Sequence, residues 1–392
     1  MTKCAIQSKY LRKSITHKVP LYQVDFWLYI LIAAFVLHQL WFWLLWVKPL
    51  YLKGEKEQNG QLPAVSVIVA AKNEKENLQK LVPAVLNQDY PEFELIVVDD
   101  HSWDGTYEYI HEMMPVHKNL HVVSLNEFVQ SKPGKKLALT LGIKKARHEI
   151  LIFTDADCTP ASDNWLKQMA NSYESDQTEI VLGYSPIRPK ASPLNLIVRF
   201  EAFNTMWQYA AFALAKLPYM GVGRNLSYKK STFLANKGFA KNLKVPFGDD
   251  DLLVQEMAHS GNTSLVLSSD SHVYTNSPKG VLKWISQKRR HLSAGKYYKG
   301  KFTALLGLGW LCKVLIYSVA ILYFILGPMH VAGLSLAILP LLAMWLLSFL
   351  FHRKSNVFSV WYVYPLLELL YQLLIYPLLG VITALHPKKV NW

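Results

Sequence analysis

Residues 65–100 read VSVIVAAKNEKENLQKLVPAVLNQDYPEFELIVVDD, and this stretch decides the fold. Near its ends lie two short runs, 65–70 (VSVIVA) and 94–98 (ELIVV). They are rich in β-branched residues and show little polar alternation, so both read as buried strands. Between them, 74–87 has helical spacing, with Pro83 expected to kink the helix. Working outward, the alternation continues. A helix is predicted over 104–114, a strand over 121–125, a helix over 134–147 with Leu137, Leu141 and Ile143 on one side, and a strand over 150–154. Strand–helix–strand alternation with buried strands predicts an α/β domain, a mostly parallel sheet covered by helices.

In such sheets ligands bind beyond the carboxyl ends of the strands. Those positions hold Lys72, Asn73 and Glu74 after the first strand, and Asp99, Asp100 and Ser102 after the second. Asp155 and Asp157 follow the fourth. No GxGxxG follows the first strand and there is no GxxxxGK[ST] loop, which disfavours a dinucleotide fold and a P-loop.

Around this domain the chain is apolar. Of 392 residues 51% are hydrophobic, concentrated near the start and over the last stretch. Residues 26–47 carry no formal charge and only His38 and Gln39 as strongly polar groups, enough to span a bilayer as a helix. A second hydrophobic region over 302–351, split by Gly327-Pro328, predicts a helical hairpin. A third, over 357–385, predicts a further span, giving four crossings. Lys313 inside the second span either snorkels to an interface or marks a later start of that helix.

The net charge of +14 lies largely beside these spans: Lys283, Lys288, Arg289, Arg290, Lys296, Lys299 and Lys301 precede the second, and Arg353 and Lys354 follow the third. That distribution suits membrane topology and anionic lipid rather than nucleic acid, and puts the domain in the cytosol. Lys3, Lys9, Arg12, Lys13 and Lys18 oppose that orientation. Cys4, Cys158 and Cys312 form no disulfide or CxxC pattern, which suits a reducing compartment.

Three polar sets carry the chemistry. In IFTDADC, residues 152–158, Asp155 and Asp157 stand two apart where a strand ends, so both can face one ion. Hard oxygen ligands suit Mg2+ or Mn2+ with a diphosphate completing the shell. A lone pair of this kind is more often a solvated turn or a helix cap. The second set is Gly248-Asp249-Asp250-Asp251, ahead of a helical run. Capping explains one or two of these acids. Three in a row repel one another, which raises at least one pKa and makes a proton acceptor for a hydroxyl. The third is Gln287-Lys288-Arg289-Arg290-His291, either a juxtamembrane basic cluster or, through Arg, a bidentate diphosphate clamp.

Together these residues resemble the family 2 inverting glycosyltransferases of GT-A (Rossmann-like) fold, especially the membrane-embedded members related to cellulose and hyaluronan synthases. The resemblance spans 65–299 and the flanking spans. It rests on VSVIVAAKNE, ELIVVDDHSWDGT, TDADCTP, the GDDD cluster and QKRRH. It implies that Ala71, Asn73 and Glu74 lie by the nucleotide and that Asp100 meets its base or ribose. Lys135, in the loop 132–136, packs nearby. Asp155 and Asp157 hold donor and metal. Asp249 or Asp250, within the catalytic triplet closed by Asp251, is the base. Gln287 and Arg290 match QxxRW, in which the Arg meets the diphosphate. Residues 221–225 (GVGRN) resemble an acceptor-side loop, with Arg224 and Asn225 facing the acceptor.

His291 departs from the family's Trp, so transfer of one or a few sugars is expected rather than polymerisation. The aromatic stretch 195–217 reads either as a core helix or as an interfacial one that receives a lipid-linked acceptor. Glu368 in the last span either pairs with a polar neighbour or marks a path for a polar head group.

The expected organisation is a basic segment 1–25, a span 26–47, a linker 48–63, the GT-A domain 64–300, three spans over 301–385 and a tail 386–392. The expected activity is metal-dependent transfer from a UDP- or GDP-sugar to a lipid-linked or glycan acceptor. Its expected place is a bacterial inner membrane, with the catalytic domain cytosolic. A processive synthase of the same fold, or a non-catalytic membrane assembly protein, are the alternatives.

Overall fold

The computed structural model describes residues 21–52, 62–125, 134–243, 245, 247–326, 330–355 and 361–385. The expected basic segment, most of the linker, the Gly327-Pro328 break and the tail lie largely or wholly outside those residues.

A first helix, α1 (Leu21–Trp41), runs into a π-helical turn at Phe42–Trp46 and a 3-10 turn at Lys48–Tyr51. The domain then alternates as its sequence demands: β1 (Val65–Ala71), α2 (Lys75–Leu86), β2 (Phe93–Asp99), α3 (Thr106–Met113), β3 (Leu120–Ser124), α4 (Lys135–Lys145) and β4 (Ile150–Phe153). Every residue of β1 is buried, the signature of a strand covered on both faces. Helix α2 runs through Pro83, which lies inside it. Close packing of α4 on the sheet depends on Gly142. A methyl group there would sit 2.7 Å from Ile68 and 3.0 Å from Val98, inside van der Waals contact.

Beyond β4 the pattern changes. It runs β5 (Thr159–Pro160), α5 (Trp165–Asn171), β6 (Ile180–Gly183), α6 (Pro193–Leu214), β7 (Leu226–Lys229), α7 (Lys230–Ala235), α8 (Asp251–Met257), β8 (Thr263–Val266), β9 (Val273–Tyr274) and α9 (Val281–Ala294). The main sheet has seven strands in the order β3-β2-β1-β4-β7-β6-β8, and β5 pairs with β9 in a small second sheet. Strands β1 to β4 are parallel, whereas β7 runs antiparallel to β4 with Leu226 opposite Phe153. The residues just before β7 therefore arrive at the edge where β1, β2 and β4 end.

The chain closes with α10 (Gly300–Leu326), α11 (His330–Ser355), α12 (Tyr364–Leu370), a π-helical turn at Tyr371–Ile375 and α13 (Tyr376–Leu385). Three helical stretches are long and apolar enough to cross a membrane: Tyr29–Tyr51, Gly300–Leu322 and Trp361–Leu385. In α11, expected as a further crossing, the apolar stretch among the described residues is the shorter Ile338–Arg353.

Helix α6 takes the core reading of its aromatic sequence. It is core, with Phe200, Phe203 and Trp207 fully buried. It is also the seam to the apolar helices. Phe203 and Trp207 pack on Phe351, the Trp207 indole donates to the Trp46 carbonyl at 2.9 Å, and Tyr364 donates to Asn204 at 2.8 Å. Glu201 in turn pairs with Lys288 and accepts from the Trp284 indole, tying α9 to α6. Lys288 is thus engaged inside the fold rather than held out toward lipid.

Candidate active site

The loops after β1 and β2 are stitched to each other. Asn73 N–H donates to Ser102 Oγ at 2.8 Å and Trp103 N–H to Asn73 Oδ1 at 3.0 Å. Glu74 N–H donates to Thr106 Oγ1 at 3.0 Å and Lys75 N–H to Asp104 Oδ2 at 3.1 Å. Two non-glycine residues there hold left-handed backbone, Asn73 (φ 55°) and His101 (φ 57°). Such conformations persist only where surrounding contacts impose them, and they cluster at ligand sites. Ala71 closes β1, its carbonyl accepting the Asp100 amide at 2.8 Å. Asp100 is buried, with His101 Nδ1 at 2.9 Å and Lys72 Nζ at 3.9 Å from its carboxylate.

After β4 the chain leaves the sheet at once, and Asp155 and Asp157 lie on a turn rather than on extended backbone. They remain electrostatic neighbours. Burial pushes the Asp157 carboxyl up, and the neighbouring Asp155 charge pushes it further. Glu74 is raised mainly by burial, with Asp157 and Asp155 adding to it, so all three acids share one electrostatic neighbourhood. Burial acts on Asp155 too, but Lys135, then Arg224 and Arg290, outweigh it and hold its carboxyl below the usual range. Arg290 is thus within electrostatic reach of Asp155. Arg224, expected beside the acceptor, is within electrostatic reach of both Asp155 and Asp157. Gln287 lies one turn before Arg290 on α9, partly buried.

The Gly248–Asp251 cluster meets this set through one lysine. Lys135 Nζ lies 2.9 Å from Asp155 and 2.9 Å from Asp249, and with them lines a narrow recess that also takes in Gly223 and Tyr228. The turn is set by Gly248, whose φ of +78° suits glycine, and where a Cβ would lie 2.5 Å from Leu252. Its three acids then part company. Asp250 caps α8, accepting the Asp251 amide, and its other oxygen accepts Gly223 N–H at 3.0 Å. Burial, with Asp249 and then Asp251 beside it, pushes the Asp250 carboxyl up to about 7. Asp251 turns inward and accepts the Tyr298 hydroxyl at 2.7 Å.

Asn225 needs a correction. Expected to face the acceptor, it is fully buried and its amide is engaged on every side. It accepts the Trp165 indole at 3.0 Å and donates to the Tyr184 and Ser271 carbonyls, both at 2.8 Å. It is a frame residue that fixes the loop carrying Arg224.

The sequence reading missed Thr275, which donates to Asp157 at 3.3 Å, and Tyr298. Neither belongs to a local motif, and only the fold brings them from 118 and 47 residues away. Among the described residues no third carboxylate, histidine or cysteine joins Asp155 and Asp157 as a ready-made metal cage.

Residues 66–223 match the family described as Glycosyl transferase family 2, so the chain carries a family 2 glycosyltransferase domain. Among curated proteins it is similar to glycosyltransferase AglE of Haloferax volcanii, 36% identical over 124 residues, covering 31% of this chain and 39% of that protein. It is also similar to the poly-β-1,6-N-acetyl-D-glucosamine synthase of Staphylococcus epidermidis, 32% identical over 146 residues, covering 37% of this chain and 34% of the relative. The matched stretch thus spans little more than a third of these relatives. Among solved structures, the mannosyltransferase PcManGT of Pyrobaculum calidifontis, in complex with GDP-Man and Mn2+, shares the fold. Its TM-score is 0.57 at 19% identity, over 93% of this chain and 99% of that one.

Proposed function

We propose that the protein is a membrane-bound inverting glycosyltransferase that moves one or a few sugars from a nucleoside-diphosphate sugar to a lipid-linked acceptor hydroxyl. The observation that carries this reading is Lys135, which joins the donor-side Asp155 to Asp249 of the acidic cluster at 2.9 Å each. Asn73, Glu74 and Asp100 lie on the stitched loops that would take the nucleotide. Arg224, Arg290 and Lys135 supply positive charge around Asp155, where a diphosphate would lie.

The residues fit a divalent cation. Asp157 repels Asp155 across a shared space, a repulsion that Mg2+ or Mn2+ would relieve, and diphosphate oxygens and water would complete its shell. When bound, the ion would neutralise charge on the departing diphosphate. The chain's own residues do the rest. Asp250, poised near 7, takes the proton of the acceptor hydroxyl. The freed oxygen bonds to the anomeric carbon as the bond to the diphosphate breaks, and one displacement inverts that centre. Lys135 and the two arginines hold the leaving group's charge.

His291 in place of the aromatic platform favours a short product over a polymer. The test is to incubate membranes containing the protein with radiolabelled UDP- and GDP-sugars, with and without divalent metal. Lipid-extractable label that disappears in Asp157→Asn is expected. Undiminished labelling by that variant sinks the assignment, and a ladder of long products would select the processive alternative.

A further inference from the structure

The apolar helices enclose a polar cluster that the sugar-transfer site does not use. Lys313 on α10 pairs with Glu368 on α12 at 2.7 Å, and Gln372 donates to the same carboxylate oxygen at 3.1 Å. The Lys313 ammonium lies 5.4 Å from the Trp46 ring and within electrostatic reach of His38. All five residues are buried: His38 1%, Trp46 6%, Lys313 8%, Glu368 1% and Gln372 7% exposed as whole residues.

Pairing within this cluster is incomplete. Both ring nitrogens of His38, the Trp46 indole N–H, the second Glu368 oxygen and the Gln372 carbonyl find no hydrogen-bond partner among the described residues. Buried polar groups are nearly always satisfied, and ionisable groups inside membrane helices mark functional paths far more often than chance. The backbone is unusual at the same place. Trp46 closes the π-helical turn Phe42–Trp46, and Gln372 lies in the other one, Tyr371–Ile375. Such turns are rare and gather at functional sites.

The cluster also has a defined position. The carbonyl of Trp46 accepts from Trp207, and Tyr364, one helical turn before Glu368, donates to Asn204. Both partners belong to α6, so the cluster is tied by hydrogen bonds to a core helix of the domain.

We propose that His38, Trp46, Lys313, Glu368 and Gln372 form a head-group site for a neutral, hydroxyl-bearing lipid. The charge balance selects that chemistry. One ammonium already offsets one carboxylate, so a lipid phosphate would bring uncompensated negative charge beside Glu368 in a medium of low dielectric. A hydroxyl adds no charge. It donates to the second Glu368 oxygen or the Gln372 carbonyl and accepts from the Trp46 indole or a His38 N–H. This deepens the lipid-acceptor reading above and rests on it, naming the acceptor class as a lipid alcohol.

The test uses the full chain in phosphatidylcholine nanodiscs, with dioleoylglycerol and, separately, undecaprenyl phosphate as probes, and thermal unfolding as the readout. No donor sugar is present. Dioleoylglycerol is expected to raise Tm saturably and undecaprenyl phosphate to leave it unchanged. Trp46→Phe, which keeps the ring against Lys313 but deletes the N–H, is expected to bind dioleoylglycerol about tenfold more weakly. Gln372→Leu serves as the second variant should Trp46→Phe misfold. Absence of a dioleoylglycerol shift, equal binding by the folded variants, or a shift with undecaprenyl phosphate alone overturns the proposal. Sugar transfer by a protein that fails to bind dioleoylglycerol would sink this inference alone. Binding without any donor turnover would sink the enzymatic reading alone.

Discussion

Lys135 and Lys313 each hold carboxylate at hydrogen-bond distance, and they do opposite things. Lys135 bridges Asp155 and Asp249 in a recess where the three side chains stay 21%, 32% and 15% exposed. Lys313 holds Glu368 between apolar helices, with the pair 11% and 1% exposed. Water screens the first set and lets its partners be exchanged for a ligand's charges, so its contribution to stability is small. The second pair has no such alternative, and removing either member leaves a buried charge behind. Distance alone does not tell a working ion pair from a locking one; solvent access does.

That contrast can be broken in several ways. The largest expected effect is at the acid beside the Lys135 bridge. Asp250→Asn should lower kcat by about 10²–10⁴-fold with nucleotide binding retained, measured as labelled product against donor affinity. Near-normal turnover would hand the base role to Asp249. Next, Lys135→Met should lower kcat/KM by about 10²–10³-fold while costing less stability than loss of the Lys313 pair, since its partners keep some contact with water. A variant that melts far below wild type would show that the recess is structural.

Lys313→Met is expected to do the reverse, costing about 3–5 kcal/mol in thermal unfolding. Lys313→Met/Glu368→Met should recover most of that loss, and a single variant as stable as wild type would refute the locking role.

The smallest effect is in pH. Burial and its acidic neighbours raise the Asp250 carboxyl to about 7. The ionised form that accepts a proton is therefore present only above that value, and the rate should fall about tenfold per unit below it. Asp250→Asn should flatten that limb of the profile. The sign for stability is opposite. The fold keeps this proton between the ordinary carboxylate range and about 7, so the group's contribution to stability falls as pH rises through that window.

The two halves of the domain were not equally legible. Strands β1, β2 and β4 announce themselves as unbroken buried runs, because parallel strands covered on both faces need no polar alternation. Glu74, Asp155 and Asp157 come within electrostatic reach of one another because parallel strands all end at one edge of such a sheet. From β6 onward the strands are four residues or fewer and the sheet turns mixed, so residue pattern carried little information there. The reading of Asn225 went wrong for a related reason. A polar residue beside a glycine-rich turn looks like a ligand contact until the fold shows that it serves as the internal bracket for Trp165, Tyr184 and Ser271.

By itself the sequence determined a parallel α/β domain with acids at its strand ends, because local periodicity encodes which faces are buried. It also fixed the apolar stretches flanking that domain, because bilayer thickness sets a length that composition reveals. Tertiary structure alone decided which acid meets which lysine, that Asp249, Asp250 and Asp251 face three different ways, and that His38, Trp46, Lys313, Glu368 and Gln372 converge. Those outcomes depend on contacts between residues tens to hundreds of positions apart, set by packing that no local pattern specifies.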